Sequence, residues 1–205
     1  MVLSYHGLGM IKASIGDTTV VFNPIAEAPG LRASKFGADL ALVSLNDPGY
    51  NGVTQASRGD RVPFAVTGPG EYEVGGIFIK GVGTPGPGGR INTIYSLMWD
   101  GIKLIHLGVP ATTEISPRDK EALGAVDILF VPLGAAGGLE AKAAAKFVTA
   151  FSPRLVIPVD YDERSSLPVF LKEVGAEGKS PVPSLSLKRK DLQDKETEVA
   201  VLALS

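Results

Sequence analysis

The stretch NTIYSLMWDGIKLIHLG, residues 92–108, contains two apolar runs separated by Asp100 and Gly101. An Asp-Gly pair between such runs is typical of a tight hairpin turn, because both residues adopt positive φ readily. The pattern predicts antiparallel strands over Ile91–Trp99 and Ile102–His106. These two strands place a sheet in the middle of the chain.

Shorter strand patterns surround this hairpin. Before it, the apolar runs predict strands at Val2–Tyr5, Met10–Ile15, Thr18–Phe22, Leu40–Val43 and Val62–Val66, and a hairpin around Gly75–Gly76. After it, strands alternate with helices. We predict helices over Ser116–Leu123, Leu139–Phe151 and Ser165–Val174, strands at Asp127–Pro132 and Leu155–Pro158, and terminal strands at Leu185–Leu187 and Thr197–Leu204. This order favours an α/β fold with two mixed sheets and helices outside, a four-layer αββα sandwich formed by a single domain over residues 1–205.

The composition excludes several classes of function. The 205 residues carry a net charge of −2 and include no cysteine, so no thiolate metal site or disulfide framework exists. Nucleic-acid binding is not expected, because the one short basic cluster, Lys188–Lys190, is typical of a solvated turn. No segment resembles a signal peptide or a membrane span, so we expect a cytoplasmic protein without a membrane partner.

Two glycine-rich patterns do not indicate a binding motif, and the two histidines are not expected to be catalytic. Gly81–Gly86 fits a dinucleotide-binding spacing, but the glycines that follow do not open the helix that the motif requires. Gly134–Gly138 is typical of a tight strand-to-helix turn. The two histidines, His6 and His106, are expected to be hydrogen-bonded structural residues, and no nucleophilic triad can be assembled around either.

Several segments together resemble the metallo-β-lactamase superfamily of zinc-dependent hydrolases, and in particular a subgroup of small bacterial proteins. The resemblance spans nearly the whole chain, in order, and rests on TTVVFNP, GADLALVS, PGEYEVGGIFIKGV, NTIYSLMWDGIKLIHLG, LGAVDILFVPLG and SPRLVIPVDYD. It implies the αββα sandwich that the pattern predicts, and a possible homo-oligomer.

The family's metal-binding signature is degenerate in this sequence. In the family, the strand matching Leu40–Val43 leads into Thr/Ser-His-x-His-x-Asp-His, whereas this chain reads SLNDPGY. With Ser44 aligned to the first residue of the signature, the resemblance places Leu45, Asp47, Gly49 and Tyr50 at the positions of its His, His, Asp and His ligands. The third histidine position falls near Pro85 and Gly86. The remaining ligand positions hold Val109 and Asp160, and Asn23 replaces the aspartate of the family's Asp-Pro pair.

The loss is too large for a zinc site of the usual kind. Zinc sites need three or more protein ligands, and Leu45, Gly49 and Val109 offer none. Asp47 and Asp160 keep carboxylates. Strand alternation points His106 away from the face that position 109 occupies, so His106 is not expected to rescue the site. We therefore predict no cofactor, no metal and no catalytic residue, and a vestigial cleft made of Leu45, Asn46, Asp47, Gly49, Tyr50, Val109 and Asp160.

Three hypotheses follow. In the first, the protein is catalytically silent and binds an unknown small molecule or protein, or acts in assembly. In the second, Asp47 and Asp160, with Asn46 and Tyr50, form a rebuilt site that uses zinc, manganese or magnesium, or general acid–base catalysis, to hydrolyse phosphodiester or ester bonds. Its competing interpretation is that Asp47 caps a turn and that Asp160 and Asp162 lie in a solvated loop. In the third, the alignment slips and a true site uses His6 or His106.

The substitutions also indicate what the cleft has become. Leu45, Pro85 and Val109 make it more apolar, with Tyr50 expected at its rim. Such a cleft either binds a small apolar or aromatic ligand or is packed shut. A silent cleft is expected to be filled by Leu45, Tyr50 and Val109, whereas a working one brings Asp47 and Asp160 together.

Overall fold

Two mixed sheets form the centre of the computed structural model, which describes residues 1–28, 30, 36–134 and 138–205. The first sheet has the order β12-β1-β2-β3-β4-β5. Its strands are β1 (Val2–Tyr5), β2 (Ile11–Ile15), β3 (Thr18–Phe22), β4 (Leu40–Leu42), β5 (Phe64–Val66) and β12 (Leu185–Ser186). Strands β3, β4 and β5 are parallel to one another, and the other pairs are antiparallel.

The second sheet contains the hairpin on which the fold prediction rests. Its order is β13-β11-β10-β9-β8-β7-β6, with parallel pairing from β13 to β9 and antiparallel pairing from β9 to β6. The strands are β6 (Gly70–Val74), β7 (Ile77–Pro85), β8 (Ile91–Trp99), β9 (Ile102–His106), β10 (Ile128–Pro132), β11 (Leu155–Val159) and β13 (Glu198–Val199). Gly81–Pro85 lie within β7, which agrees with the rejection of a dinucleotide motif there.

Strand alternation distributes the apolar side chains into three layers. Between the sheets, Phe22, Leu42, Tyr95 and Phe130 belong to the main core. The helices α1 (Pro117–Leu123), α2 (Ala141–Phe151) and α3 (Ser166–Glu173) contribute to a second core against the seven-stranded sheet. On the other outer face, a 3₁₀ helix at Val53–Ala56 contributes Ala56 to a cluster with Val21 and Ala41. The predicted class, two mixed sheets with helices outside, is confirmed.

The C-terminal segment differs from the prediction. Of the expected strand Thr197–Leu204, Glu198–Val199 forms β13, and Leu202 and Leu204 make isolated bridges to Val182 and Tyr5. The tail leaves β11 and reaches β1 of the other sheet, so one continuous strand cannot pair with both. Gly134 and Gly138 are described, but the turn between them lies outside the described residues. In the parts of the chain that the structure describes, no helix is both long and apolar enough to span a membrane.

Strands from both sheets end at the same edge of the sandwich. Asn23 follows β3, Ser44 lies just beyond β4, and Asp160 follows β11. The Ser44 N–H donates to Asn23 Oδ1 at 2.8 Å, and the Asp160 N–H donates to the Leu8 carbonyl at 2.6 Å. Ligand sites of α/β sheets lie beyond the carboxyl ends of parallel strands, so this edge is where a site is expected.

Candidate functional site

Three of the predicted cleft residues form an apolar plug at this edge. Leu45, Tyr50 and Val109 are 2%, 1% and 1% exposed and pack together, with Leu8 against them. The plug combines the loop after β4 with the loop after β9, so it closes the space between the two sheets. Tyr50 is therefore not a rim residue as expected from the sequence. Its phenol ring is buried because the turn at 47–50 folds it inward.

Asp47 is held in a turn at the edge of the plug. Its Oδ1 accepts the Gly49 N–H at 3.0 Å, and its carbonyl accepts the Tyr50 N–H at 2.8 Å. Its Oδ2 accepts a hydrogen bond from Arg90 Nη1 at 2.8 Å. The bond with Arg90, followed by that with the Gly49 N–H, lowers the pKa of Asp47. This geometry fits the interpretation that Asp47 caps a turn. The carboxylate is paired with Arg90.

Asn46 takes no part in the buried cleft. It is exposed, and its Oδ1 accepts a hydrogen bond from Asn51 Nδ2 at 2.8 Å. The contact closes the base of the loop that carries Asp47 and Tyr50. Asn46 therefore supports the loop rather than facing a bound ligand.

Asp160 is buried, which corrects the solvated-loop interpretation for this residue. It is 1% exposed and has a φ of 51°, and its N–H contacts the Leu8 carbonyl and, at 3.2 Å, Tyr5 Oη. Burial and, second, the charge of Asp160 raise the pKa values of Tyr5 and Tyr50. The Asp160 carboxylate thus lies among phenols beneath the plug. Asp162, by contrast, is exposed and accepts the Arg164 and Ser165 N–H groups before α3.

Asn23 occupies the floor of the same cleft. It is fully buried with a φ of 47°, and its Oδ1 accepts the Ser44 N–H, which fixes the orientation of the amide. Its Nδ2 has no hydrogen-bond partner among the described residues. A Cβ added at Gly9 would lie 2.9 Å from that Nδ2. The absence of a side chain at Gly9 therefore leaves room beside the amide.

Asn92, which the sequence analysis did not single out, positions the side of the cleft that contains Val109. Asn92 is fully buried in β8, and its Nδ2 donates to Thr84 Oγ1 and to the Leu107 carbonyl, each at 2.9 Å. Its Oδ1 accepts the Val109 N–H at 2.7 Å. These bonds hold Val109 in the plug. The available signal was an asparagine in a mainly apolar strand, where a buried amide needs partners.

His106 lies beneath the cleft, which corrects the alternation argument. A Cβ on Gly9 would lie 3.5 Å from His106 Cε1 and 3.4 Å from Tyr50 Cε1, so both rings border the same point. The strand ends at His106, and Gly108 has a φ of 71°, so alternation does not continue to Val109.

Both ring nitrogens of His106 are engaged, which leaves no free nitrogen to bind a metal. Nε2 donates to the Gly9 carbonyl at 2.9 Å, and Nδ1 accepts the Gly108 N–H at 3.0 Å. Burial lowers the pKa of this imidazole to about 4, so the ring is neutral at physiological pH. His106 is a structural histidine, as the sequence predicted. His6 lies elsewhere, with Nε2 at 2.9 Å from Ser4 Oγ and its ring against Phe36.

A zinc ion does not fit this donor set. Leu45, Gly49 and Val109 have no side-chain donor, and the Asp47 carboxylate is paired with Arg90. Among the described residues, no group of three or more histidine, cysteine, aspartate or glutamate side chains is placed to hold a metal ion. Asp160 alone falls short of the ligand number of a zinc site. No catalytic step through a metal can be derived from this arrangement.

The fold and the remodelled cleft define a hydrolase-type αββα scaffold. A model of the β-lactamase superfamily domain matches residues 3–160. The chain therefore belongs to the metallo-β-lactamase superfamily, as the sequence segments indicated. No curated protein matches the chain.

Solved structures show the same architecture over the full chain. One is a proposed Zn-dependent hydrolase of the superfamily from Thermotoga maritima, with 24% identity, a TM-score of 0.76, and coverage of 98% of this chain and 99% of the other. Another is Igni18, a metallo hydrolase from Ignicoccus hospitalis, with 12% identity, a TM-score of 0.66, and coverage of 98% and 94%. A third is an isothiocyanate hydrolase from Delia radicum gut bacteria, with 11% identity, a TM-score of 0.65, and coverage of 100% and 97%. At these identities the likeness concerns the fold.

Proposed function

We propose that this protein is a metallo-β-lactamase-fold hydrolase homologue that has lost its metal ligands, is catalytically silent, and serves as a binding or assembly module. The observation that carries the proposal is the plug, in which Leu45, Tyr50 and Val109 fill the space between the ligand loops. The plug leaves no opening between these loops, and a separate cavity of about 460 Å³ borders Tyr5, Leu8 and Asp160. A fold kept intact around a filled cleft is suited to binding through another surface.

One observation favours a second candidate. The Asp160 carboxylate is buried beside the phenols of Tyr5 and Tyr50, and perturbed titratable groups of this kind recur at functional sites. In this alternative, Asp47 and Asp160 hold a divalent metal such as zinc, manganese or magnesium and hydrolyse a phosphodiester or ester bond. The ion pair between Asp47 and Arg90 weighs against it, because the metal would have to displace the guanidinium.

The proposed partner is a small molecule or another protein, including a second copy of this chain. A net charge of −2 supports a partner other than nucleic acid. We further propose a cytoplasmic location and no membrane partner. Static light scattering of the purified chain tests the homo-oligomer directly.

Metal content tests the two candidates against each other. Tag-free protein purified without chelator is dialysed against Zn²⁺ and Mn²⁺ and measured by inductively coupled plasma mass spectrometry. The silent homologue retains less than about a tenth of an equivalent of either metal, since a structural or catalytic site binds tightly enough to stay filled.

Variants identify the ligands if metal is present. Retention of about one equivalent, lost in Asp47→Ala and in Asp160→Ala, would overturn the silent interpretation and support the rebuilt site. Asp162→Ala is the matched control, because Asp162 is exposed and its Oδ1 already accepts the Arg164 and Ser165 N–H groups. Retained metal would direct substrate screens to phosphodiesters and esters.

A further inference from the structure

The free edges of the two sheets differ in length. Each sheet ends in two edge strands, and three of these four strands are short. β5 has three residues, and β12 and β13 have two each. β6 has five, Gly70–Val74, and pairs with β7 one residue to one without a bulge. Short strands, prolines and bulges are devices that protect sheet edges from added strands, and β6 uses none of the three.

The turn at Gly75–Gly76 determines which backbone groups of β6 are available to an added strand. Its glycines have φ values of 58° and 77°, and such a two-residue hairpin loop closes on a hydrogen-bonded pair, here Val74 with Ile77. Hydrogen-bonded and non-hydrogen-bonded pairs alternate along antiparallel strands. Glu73 and Glu71 therefore belong to non-hydrogen-bonded pairs with β7. Their N–H and carbonyl groups point away from β7 within the plane of their own sheet, off its free edge.

The hairpin between β8 and β9 gives the same phase. It closes on the pair Trp99 with Ile102, so the backbone groups of Met98 point away from β9 toward β7. There they meet Phe78, which lies opposite Met98. Phe78 therefore bonds to β8 and not to β6, so Glu73, its neighbour on β6, directs its backbone groups outward.

The two faces of β6 carry different side chains. Tyr72 and Val74 pack against the main core, so they face the space between the sheets. Because side chains alternate along a strand, Glu71 and Glu73 lie on the outer face. β6 is therefore apolar on one face and acidic on the other, and a complementary strand has the same period of two.

The space between the sheets is open along this edge. Phe64 of β5 points into that space, because it pairs with Leu40 of the main core, yet it is 54% exposed. Tyr72 and Val74 are only half-buried. Apolar side chains of a strand added to β6 would continue the main core beyond Tyr72 and Val74, and that burial favours binding.

Charge complementarity identifies the outer-face side chains of the occupant. Glu71 and Glu73 are both exposed, and they are the cross-strand neighbours that an added strand meets on this face. Lys80 is paired with Glu71 at 2.8 Å and lies one strand further in, on β7. Opposite charges that face each other across a strand pair stabilise it. The outer face of β6 therefore selects lysine or arginine.

The same charges disfavour a second copy of β6 as the occupant. Antiparallel pairing of two copies through the outward backbone groups would centre on Tyr72 and set Glu71 of one copy opposite Glu73 of the other. Like charges directly opposite each other destabilise a strand pair. A segment of a different protein, with basic residues at alternate positions, fits this edge better.

We propose that β6 binds an extended segment of a partner protein that alternates basic and apolar residues. The segment adds an antiparallel strand, exchanges backbone hydrogen bonds with Glu71 and Glu73, and sets its basic side chains beside their carboxylates. Its apolar side chains lie on the face of Tyr72 and Val74. The inference rests on the proposed binding role and gives that role a partner class.

Nuclear magnetic resonance on the ¹⁵N-labelled full chain tests the proposal with the peptide N-acetyl-Val-Lys-Val-Lys-Val-amide, which is as long as β6. Titration is expected to shift the amide signals of Glu71 and Glu73 most strongly. At about ten times the dissociation constant, their hydrogen exchange is expected to slow about tenfold, because the bound amides are protected. Tyr72 and Val74, whose amides already bond to β7, are expected to shift less.

Two methylated peptides test the register. In antiparallel pairing the lysine amides lie opposite Glu71 and Glu73 and donate to β6, whereas the amide of the central valine points to solvent. N-methylation of both lysine amides is expected to abolish binding. N-methylation of the central valine amide is expected to leave the dissociation constant within about twofold, because it removes no bond to β6.

Variants of the protein test the charges. The double variant Glu71→Gln, Glu73→Gln is expected to weaken binding about two- to thirtyfold, the range for two opposite-charge cross-strand pairs. Glu140→Gln with Glu177→Gln is the matched control, since these exposed glutamates lie at the start of α2 and after α3. The control is expected to bind the peptide as the wild type does.

Three outcomes would overturn the proposal. The first is unchanged Glu71 and Glu73 signals at millimolar peptide, which would make the charged edge a barrier to strand addition. The second is equal binding of the two methylated peptides, which would reduce the interaction to attraction between charges. The third is concentration-dependent shifts of the same amides without peptide, together with a dimer in sedimentation, which would make the occupant a second copy. None of these depends on the metal content of the cleft, so failure of this inference is distinguishable from failure of the silent-homologue proposal.

Discussion

Three residues around the plug have a strained backbone. Leu8, Asn23 and Asp160 have φ values of 45°, 47° and 51°. Left-handed conformations of residues other than glycine cost about 1–3 kcal/mol each and persist where the surroundings hold them. Here the Asp160 N–H bond to Leu8 and the Asn23 N–H bond to Leu42 do so. The backbone at these three positions is thus held by hydrogen bonds and packing within the chain.

Substitutions of Val109 test whether the plug excludes water. Val109→Asp restores the acid that the family resemblance implies there, but it sets a carboxylate into the contact with Leu45 and Tyr50. An unpaired buried charge is expected to cost more than about 3 kcal/mol in the free energy of unfolding. Val109→Ala, the matched control, is expected to cost about 1–3 kcal/mol for the cavity alone. Urea unfolding of the two variants measures the difference, and equal stabilities would mean that water reaches the cleft.

His106 makes the stability depend on pH. Burial lowers the pKa of its imidazole from 6.5 to about 4, so between these values the unfolded chain binds a proton that the folded chain does not. The associated stability is fully present above about pH 6.5 and is lost as the pH falls toward 4, by about 3 kcal/mol. Urea unfolding of the wild type and His106→Asn from pH 7.5 to 4.5 is expected to show a shallower slope in the variant. His6, whose pKa burial also lowers, is present in both proteins and cancels in the difference. A slope unchanged by His106→Asn would refute the assignment.

At the scale of elements, prediction succeeded where local chemistry decides the structure. Asp100 adopts a φ of 52° and Gly101 one of 70°, as the hairpin turn requires, and Ser116 caps α1 as its position before Pro117 indicated. Prediction failed where a long-range contact decides. The burial of Asp160 depends on Leu8 and Tyr5 at the far end of the sequence, and the role of Asn92 depends on the course of the chain after β9. No periodicity contains that information.

The cap of α1 is expected to contribute measurably to stability. Ser116 Oγ accepts the Asp119 N–H at 3.1 Å and donates to Asp119 Oδ2 at 2.6 Å. Ser116→Ala is expected to lower the free energy of unfolding by about 1 kcal/mol. Ser165→Ala is the matched control, because the Ser165 hydroxyl likewise donates to a carboxylate, that of Asp162 at 2.8 Å, but accepts no backbone N–H of α3. Equal losses in thermal unfolding would show that the cap of α1 is not what stabilises it.

At the scale of the molecule, contacts within the protein join the sheets at the edge where the superfamily places its metal ligands. The Tyr95 hydroxyl in β8 donates to the Val43 carbonyl at 3.0 Å, and the Thr93 N–H donates to the Ser44 carbonyl at 2.8 Å. The Asn92 bonds and the plug complete the contact. The two halves of the sandwich are therefore joined at this edge by hydrogen bonds and apolar contacts of the chain itself.

Chelation is accordingly expected to leave the fold unchanged. A ligand that binds only the folded state raises the free energy of unfolding by RT ln(1 + [L]/Kd), so removal of a bound metal lowers the melting temperature. Differential scanning calorimetry with EDTA, and separately with excess Zn²⁺, is expected to give the same melting temperature as untreated protein. A rise with Zn²⁺ that disappears in Asp160→Ala would contradict the metal-free interpretation and favour the rebuilt carboxylate site.

Buried phenols in both sheets and in the plug predict how the whole sandwich responds to alkali. Burial raises the pKa values of Tyr5 in β1, Tyr95 in β8 and Tyr50 in the plug above their usual 10, and the charge of Asp160 adds to the rise for Tyr5 and Tyr50. Above pH 10 the unfolded chain loses these protons while the folded chain keeps them. Stability is therefore full below about pH 10 and falls above it, by up to about 1.4 kcal/mol per pH unit for each phenol.

Tyr50→Phe isolates the contribution of the plug to this response. Its free energy of unfolding, measured by urea denaturation from pH 8 to 11.5, is expected to fall less steeply than that of the wild type, because the Tyr50 phenol no longer titrates in the unfolded chain. Tyr161, whose pKa burial raises to about 12, responds in the same direction in both proteins. Lys103, whose pKa is lowered by burial, titrates in the same range with the opposite effect, but it is common to both proteins and cancels in the difference. If both proteins lose stability at the same rate, the Tyr50 hydroxyl is hydrated and ionises in the folded state. The cleft would then be open to water, and this result would favour the hypothesis of a rebuilt catalytic site over that of a silent binding module.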